Sequence, residues 1–99
     1  MVVSGQLGIA GGELVHGGVA DEVRQALANM AALLEGEGAS LASVVKTTVF
    51  LRHIADYDAM NEAYVAAFGD HRPARAAVAV AELPRNALVE IEAWAYLPD

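Results

Sequence analysis

The residue in this sequence best suited to binding a small anion is Arg75, which begins a segment of very small side chains. Residues 75–81 alternate as a strand does, so Arg75 and Ala77 are predicted to share one face. Val78 and Val80 then lie on the other face. A planar guanidinium can bind both oxygens of a carboxylate at once. Arg75 is therefore a candidate carboxylate-binding residue.

Two acidic residues, Glu90 and Glu92, lie on one face of a second alternating segment, together with Trp94. Since two carboxylates share this face with Trp94, at least one of them is expected to be partly buried. The residues alone leave two plainer roles open. The acids could be solvated strand charges, or Arg75 could form an ion pair with Glu90 or Glu92 of another subunit.

Other chemistries lack the residues that they need. The three histidines fall in separate segments without a zinc-binding spacing, so no metal site is predicted. The chain has no cysteine, which excludes disulfides and thiolate chemistry. The glycines of residues 8–18 match no phosphate-binding motif, and no serine lies in a nucleophile elbow. Neither a cofactor nor a Ser-His-Asp triad is indicated.

The charge balance bears on the partners of the chain. Thirteen acidic residues against six dispersed basic ones give a formal net charge of −7, which argues against nucleic acids and anionic membranes. No membrane span or signal peptide is recognised, so a cytoplasmic location is expected. The 99 residues are 56% hydrophobic, which predicts one domain over residues 1–99. Alanine-rich surfaces on so small a chain favour an obligate oligomer.

Two helices are predicted from apolar residues at helical spacing. The first is expected to begin at an Asp21 cap and to end at Gly36 and Gly38. The second is expected to begin at an Asp56 cap and to end at Gly69. The apolar faces consist of Val23, Leu27, Met30 and Leu34 in the first helix, and of Tyr57, Met60 or Asn61, Tyr64 and Phe68 in the second.

Five strands complete the predicted order β-β-α-β-α-β-β. Residues 2–10 and 13–16 are predicted to form a hairpin across Gly11 and Gly12. The other strands are residues 44–51, rich in β-branched side chains, then 75–81 and 88–96. This is an α+β fold with both helices on one face of a sheet. The other face, predicted to carry Arg75, Ala77, Ala79, Glu90 and Glu92, suits a pocket at a subunit interface.

Three short strings carry a resemblance to a known family. Pro73-Ala74-Arg75, Leu83-Pro84 and Glu90-Ile91-Glu92-Ala93 together resemble the C-terminal signature of the reactive-intermediate deaminase family, also called the YjgF, Rid or endoribonuclease L-PSP family. The resemblance extends along essentially the whole chain. Further matching positions are Ser4-Gly5-Gln6, Gln25, Asn29, Gly38, residues 44–49, Asn61, Tyr64 and Phe68.

The resemblance implies a chorismate-mutase-like fold with a mixed sheet, a homotrimer around a barrel-like centre, and active sites in clefts between subunits without metal or cofactor. Arg75 resembles the arginine that grips the substrate carboxylate, and Glu90 resembles the acid that positions the hydrolytic water. Ser4, Gly5 and Asn61 resemble cleft-lining positions contributed by the neighbouring subunit.

The sequence departs from the family pattern in two places. The family usually begins with an additional N-terminal strand that carries a Gly-Pro-Tyr segment, so that strand is expected to be missing or truncated here. Ala76-Ala77 stands where many deaminating members have Ser-Cys. The backbone groups of Ala77 remain available to a substrate.

The activity implied by the resemblance is that of an enamine/imine deaminase, which hydrolyses 2-imino acids to 2-keto acids and ammonia. The sequence does not say which imino acid would be used. One alternative is a non-catalytic trimer that binds keto acids in the same cleft. Chorismate mutase activity would need more than one converging cation, and the sequence nominates only Arg75. Ribonuclease activity ranks last because an acidic chain repels polyanions.

Overall fold

The computed structural model describes residues 1–97 of the chain. The strands are β1 (Val2–Gln6), β2 (Ile9–Ala10), β3 (Glu13–Leu14), β4 (Val44–Leu51), β5 (Ala74–Ala79) and β6 (Val89–Ala95). The helices are α1 (Val19–Gly36) and α2 (Tyr57–Phe68), with single 3-10 turns at Leu41–Ser43, Ile54–Asp56 and Pro84–Asn86. Four strands form one sheet in the order β1-β6-β4-β5, and β2 pairs with β3 in a hairpin.

The sheet is mixed because of the way α2 connects its strands. β6 runs antiparallel to both β1 and β4, whereas β5 runs parallel to β4. Parallel neighbours need a crossover connection, and α2 supplies it between β4 and β5. β5 is the last strand in the order and therefore forms one edge of the sheet. It lies next to α2, the helix that precedes it.

Both helices pack on one face of the sheet, as predicted. The apolar stripe of α1 is buried, with Val23, Met30 and Leu34 at 0% exposure and Leu27 at 1%. It joins Met60, Tyr64 and Phe68 of α2 in a single hydrophobic core with the inward residues of the sheet. No helix in the described part of the chain is both long and apolar enough to cross a membrane.

The predicted central strand is confirmed with its boundaries unchanged, as β4. Its residues Val49 and Leu51 are fully buried, and so is Thr47, although threonine is polar. The Thr47 hydroxyl is satisfied by the Tyr64 hydroxyl at 2.7 Å. That buried bond fixes α2 against the middle of the sheet.

The N-terminal strand prediction was wrong in part. Residues 2–10 do not form one strand: β1 joins the main sheet, and the chain turns at Leu7 and Gly8 before β2. Gly8 lies against α1 so closely that a Cβ there would be 2.6 Å from the Cα of Glu22. The hairpin across Gly11 and Gly12 is confirmed, and both glycines have positive φ. The observed order therefore contains one more strand than predicted.

The Asn29 side chain holds this N-terminal corner. Its amide donates to the carbonyl oxygens of Leu7 and Ile9 at 3.2 and 2.9 Å, and Gln25 donates to its oxygen at 2.9 Å. Because unpaired backbone carbonyls are costly when they are removed from water, these bonds stabilise the turn after β1. The segment that carries Ser4 and Gly5 is thereby tied to α1.

The helix ends correct the predicted Asp21 cap and confirm the N-cap position of Asp56. α1 begins after Gly18, and Asp21 lies within its first turn, where it pairs with Arg24 instead of capping. Asp56 directly precedes α2, but its side chain makes no capping hydrogen bond. Gly69 ends α2 as predicted, with φ of 65°.

The predicted face of β5 was wrong. Arg75 lies opposite Thr47 of β4, and Thr47 lies opposite Ala93 of β6, both of which are buried under the helices. Arg75 therefore points to the helix side of the sheet. Glu90 lies opposite Phe50, three positions along β4, so it points to the other side. Arg75 does not share a face with Glu90 or Glu92.

Glu22 is a buried acid whose environment sets a pH dependence of stability. The side chain is 5% exposed, and its carboxylate accepts a hydrogen bond from the Leu88 N–H at 2.9 Å. Burial raises the pKa of Glu22 above its ordinary value of 4.5, and the backbone bonds from Leu88 and Val89 only partly oppose this. The folded chain thus holds the proton at pH values where the unfolded chain has released it. Stability falls as pH rises through the raised pKa.

We expect Glu22→Gln to increase the free energy of unfolding at pH 7, because glutamine keeps the acceptor oxygen and removes the buried charge. The advantage should shrink as pH falls toward 4, where wild-type Glu22 is itself protonated in both states. Urea unfolding at a series of pH values measures the difference. Glu35→Gln, at an exposed position of the same helix, is the control. A Glu22→Gln chain that is less stable at pH 7, or a difference independent of pH, would contradict this account.

Candidate active site

The Arg75 guanidinium is held by two polar groups of α2. Nη1 donates to Asn61 Oδ1 at 2.7 Å, and Nη2 donates to the Tyr57 hydroxyl at 2.7 Å. Tyr57 and Asn61 are one helical turn apart, so both reach the same strand residue. The guanidinium is held in one orientation before any ligand arrives, which lowers the entropic cost of binding.

Two aromatic rings enclose the same guanidinium. Its central carbon lies 4.7 Å from the centroid of the Tyr64 ring and 5.6 Å from that of Tyr57. Burial raises the pKa of Tyr64, against the opposing effects of the Thr47 hydrogen bond and the positive charges of Arg75 and Arg72. Tyr64 therefore stays neutral, and the rings stabilise the cation without neutralising it.

No carboxylate within the described residues 1–97 pairs with Arg75. Within residues 1–97 the ion pair that forms is Arg24 with Asp21, on the surface of α1. A guanidinium has five N–H donors, and the bonds to Asn61 and Tyr57 use two of them. A partly buried cation without a counter-ion lowers the stability of the folded chain. The presence of one at this position is therefore typical of a site that binds an anion.

A pocket of about 400 Å³ opens beside the guanidinium. This volume lies within the range of about 300–1,000 Å³ that is typical of small-molecule sites. Within residues 1–97, its lining contains two arginines and no acidic residue. The lining residues are Asn61, Tyr64, Val65, Arg72, Pro73 and Arg75.

The second part of the predicted site lies on the other side of the sheet. Glu90 packs against Gly5, where an added Cβ would be 2.6 Å from the Glu90 Cδ. Ser4 and Gly5 lie where the pairing of β1 with β6 shifts register between Val3 and Gln6. The bulge and the missing side chain of Gly5 together make room for the carboxylate.

The side chains described above thus fall into two groups, which we call the Arg75 cluster and the Glu90 cluster. The Arg75 cluster comprises Arg75, Asn61, Tyr57 and Tyr64; the Glu90 cluster comprises Glu90, Gly5 and Ser4. Because the clusters occupy opposite faces of one sheet, a single small molecule cannot touch both clusters of the same chain.

This geometry bears on two further predictions about individual residues. Asn61 was expected to line a cleft from the neighbouring subunit, but it binds Arg75 of its own chain. Ala77 lies two residues beyond Arg75 on the same face and packs partly against the core. Its methyl group faces the helices, so a ligand at the strand edge would reach its backbone rather than its side chain.

Sequence reasoning missed three residues of the Arg75 site. Tyr57 and Tyr64 were placed on the correct helix face but were assigned only to the core, and Arg72 was counted only as a dispersed charge. The spacing of Tyr57, Asn61 and Tyr64 along one helical face was the available signal. Recognising it required knowing that β5 presents Arg75 to that face.

Comparisons with known proteins agree with the observed fold. The family model described as Endoribonuclease L-PSP matches residues 1–97. A RutC family protein of Pyrococcus horikoshii is 46% identical over 98 residues, which span 97% of this chain and 78% of that protein. The human 2-iminobutanoate/2-iminopropanoate deaminase is 48% identical over 95 residues, which span 94% of this chain and 69% of the human protein.

Solved structures share the architecture. A putative endoribonuclease of Thermotoga maritima superposes with a TM-score of 0.92 at 48% identity, covering 99% of this chain and 78% of that one. The Escherichia coli protein TdcF with bound serine superposes with a TM-score of 0.91 at 34% identity, covering 99% of this chain and 80% of that one. The protein is thus an α+β protein of chorismate-mutase-like fold in which Asn61 and Tyr57 hold the Arg75 guanidinium. It belongs to the reactive-intermediate deaminase family, whose model carries the name endoribonuclease L-PSP.

Proposed function

We propose that this chain is an imine deaminase, which hydrolyses 2-imino acids to 2-keto acids and ammonia in a cleft between subunits of a cytoplasmic homotrimer. The carrying observation is the Arg75 guanidinium, which is preorganised, partly buried and without a carboxylate partner within residues 1–97. Relatives of nearly half-identical sequence that are named 2-iminobutanoate/2-iminopropanoate deaminase support the same chemistry.

The reaction makes modest demands on the protein. Arg75 anchors the carboxylate of the imino acid, which fixes the position of the adjoining C=N carbon. A water oxygen adds to that carbon of the protonated imine while Glu90 accepts a proton from the water. Glu90 then passes that proton to the nitrogen of the tetrahedral intermediate. As the C–N bond breaks, the hydroxyl formed from the water gives its remaining proton to Glu90 and becomes the keto oxygen, and the departing ammonia or solvent takes that proton up.

The opposite faces of the two clusters support a site built from two chains. In an oligomer whose interface is heterologous, one surface of a subunit meets a different surface of the next. The Arg75 cluster of one chain could then meet the Glu90 cluster of its neighbour. Ser4 and Gly5 would line the cleft from the neighbouring side, and the backbone of Ala77 would line it beside Arg75.

The direct test is to generate 2-iminopropanoate or 2-iminobutanoate in solution and to follow keto-acid release with and without the protein. The competing spontaneous hydrolysis is measured in the same buffer. Acceleration that is proportional to protein concentration would support the proposal. An unchanged rate, at a protein concentration where keto acids do bind, would contradict it.

The alternative is a non-catalytic protein that binds small acids, and one comparison favours it: a structural neighbour holds serine. This function predicts thermal stabilisation by keto acids without any acceleration of imine hydrolysis. Ribonuclease activity, named in the family model, has less support because the formal charge of −7 opposes polyanion binding.

The Tyr57 hydroxyl is expected to act as a positioning group for Arg75. Tyr57→Phe removes one hydrogen bond to the guanidinium, so we expect the Kd for a 2-keto acid to rise about 3- to 10-fold. The melting temperature should change little, because Tyr57 is partly exposed. Titration calorimetry measures the affinity.

Tyr64→Phe is the matched comparison, since it removes a hydroxyl from the same cluster. Its hydroxyl binds buried Thr47 rather than Arg75, so it should lower stability while affecting the Kd less. A Tyr57→Phe chain with unchanged affinity would show that the Tyr57 bond does not position the arginine.

A further inference from the structure

Arg72 is the second cation of the pocket beside Arg75. The imine chemistry proposed above uses only Arg75, because a simple 2-imino acid has one carboxylate. Arg72 is exposed, and its Nη1 donates to the carbonyl oxygens of Gly69 and, at 3.0 Å, His71, just beyond the end of α2. These bonds tether the guanidinium at the pocket rim.

The tether leaves Arg72 able to bind a ligand. Its Nε and Nη2 make no hydrogen bond to another residue in the part of the chain that the structure describes. Among the residues that the structure describes, no acidic one lines the pocket, although acids outnumber bases in the chain and Asp70 lies only two positions away in sequence. The pocket is therefore a local concentration of positive charge in an acidic protein.

Two guanidinium groups in one pocket favour a ligand with two anionic groups. Arg75 is partly buried and already oriented by Asn61 and Tyr57, so it suits the carboxylate next to the reacting carbon. Arg72, at the rim, would face the far end of the ligand. A neutral side chain would leave the Arg72 charge unused, whereas a second carboxylate would form a charge-assisted bond with it.

We propose that the pocket prefers dicarboxylates, so that the substrates include 2-imino dicarboxylic acids, with Arg72 as the residue that selects the second carboxylate. The claim that 2-imino dicarboxylic acids are substrates rests on the proposed function. The binding preference for a dianion rests on the pocket alone. The reaction that supplies such imino acids would be oxidation of the amine of an acidic amino acid by an oxidase.

The test measures binding separately from turnover. The Kd values of succinate and 2-oxoglutarate are compared with those of butanoate and 2-oxobutanoate by calorimetry on the full chain. We expect the dicarboxylates to bind at least about 5-fold more tightly, and Arg72→Gln to weaken them about 10-fold while changing the monocarboxylates less than about 2-fold. Arg72→Lys, which keeps the charge without the planar fork, should recover part of the loss.

Arg24→Gln is the matched control, because it removes the same charge from an exposed position outside this pocket. The preference for dicarboxylates should survive in it. Equal affinities for the two ligand classes in the wild-type chain, or a preference that Arg72→Gln leaves intact, would overturn the proposal.

Hydrolysis assays separate this inference from the proposed function. A dicarboxylate preference without acceleration of any imine would uphold the pocket specificity and reject the deaminase. Acceleration for neutral imino acids, with no preference for dicarboxylates in binding, would uphold the deaminase and reject the role of Arg72. If the protein hydrolyses an imino dicarboxylate faster than a neutral imino acid, and if Arg72→Gln slows that reaction while Arg24→Gln does not, both the deaminase and the role of Arg72 are supported.

Discussion

Replacing Arg75 with alanine is expected to lower kcat/KM for 2-imino acid hydrolysis by at least about 100-fold, which corresponds to about 2.7 kcal/mol of lost transition-state stabilisation. The substrate would lose its carboxylate anchor and the orientation that the anchor gives to the reacting carbon. Arg75→Lys should be intermediate, because an ammonium keeps the charge but cannot form the planar fork. Keto-acid release under initial-rate conditions measures both variants.

The stability of the Arg75→Ala chain separates a ligand-binding arginine from a structural one. A structural ion pair would lose stability when one partner is removed. Arg75 has no carboxylate partner within residues 1–97, so its removal should leave the melting temperature unchanged or raise it. Arg24→Ala, at the exposed surface pair, should keep full activity. An Arg75→Ala chain that retains wild-type turnover would contradict the proposed site.

The largest expected effect on stability comes from Gly8. An alanine Cβ at this position would lie 2.6 Å from the Cα and 2.7 Å from the carbonyl oxygen of Glu22. These are backbone atoms of α1, so no side-chain rotation relieves the clash and the helix itself must move. We expect Gly8→Ala to lower the free energy of unfolding by about 2–3 kcal/mol. Urea unfolding at a fixed protein concentration measures it.

Gly36→Ala is the control for Gly8. A Cβ at Gly36, the last residue of α1, would meet nothing within 4 Å. Alanine there should stabilise the helix by up to about 1 kcal/mol, because it reduces the entropy of the unfolded chain. If the Gly8→Ala chain matched the wild type in stability, the close packing of α1 on the corner after β1 would be wrong.

The elements that the sequence predicted best are those whose pattern is determined locally. The β-branched run of β4 and the stripe of α1 follow directly from side-chain periodicity, and both were confirmed. The start of α1 was placed too late because Gly17 and Gly18 adopt positive φ and let the helix begin before Asp21. The cap preference of a residue does not show whether that residue will occupy the N-cap position, because this depends on the conformation of the preceding turn.

The face of β5 could not be predicted from its own residues. Small side chains occupy both faces of this strand, so alternation gave two sets without saying which set meets the helices. The answer comes from a long-range pairing, Arg75 opposite Thr47, which depends on the crossover through α2. The same pairing separates Arg75 from Glu90, and this separation supports the proposal of a site between chains.

A hybrid of two inactive variants tests the proposal most directly. Arg75→Ala and Glu90→Gln chains are mixed in equal amounts in denaturant and refolded together, and imine hydrolysis is assayed. If each site takes Arg75 from one chain and Glu90 from another, about one quarter of the sites recover both residues, so about one quarter of wild-type activity returns. Each variant refolded alone should stay inactive. A mixture as inactive as its two components would show that no site combines the two residues across chains.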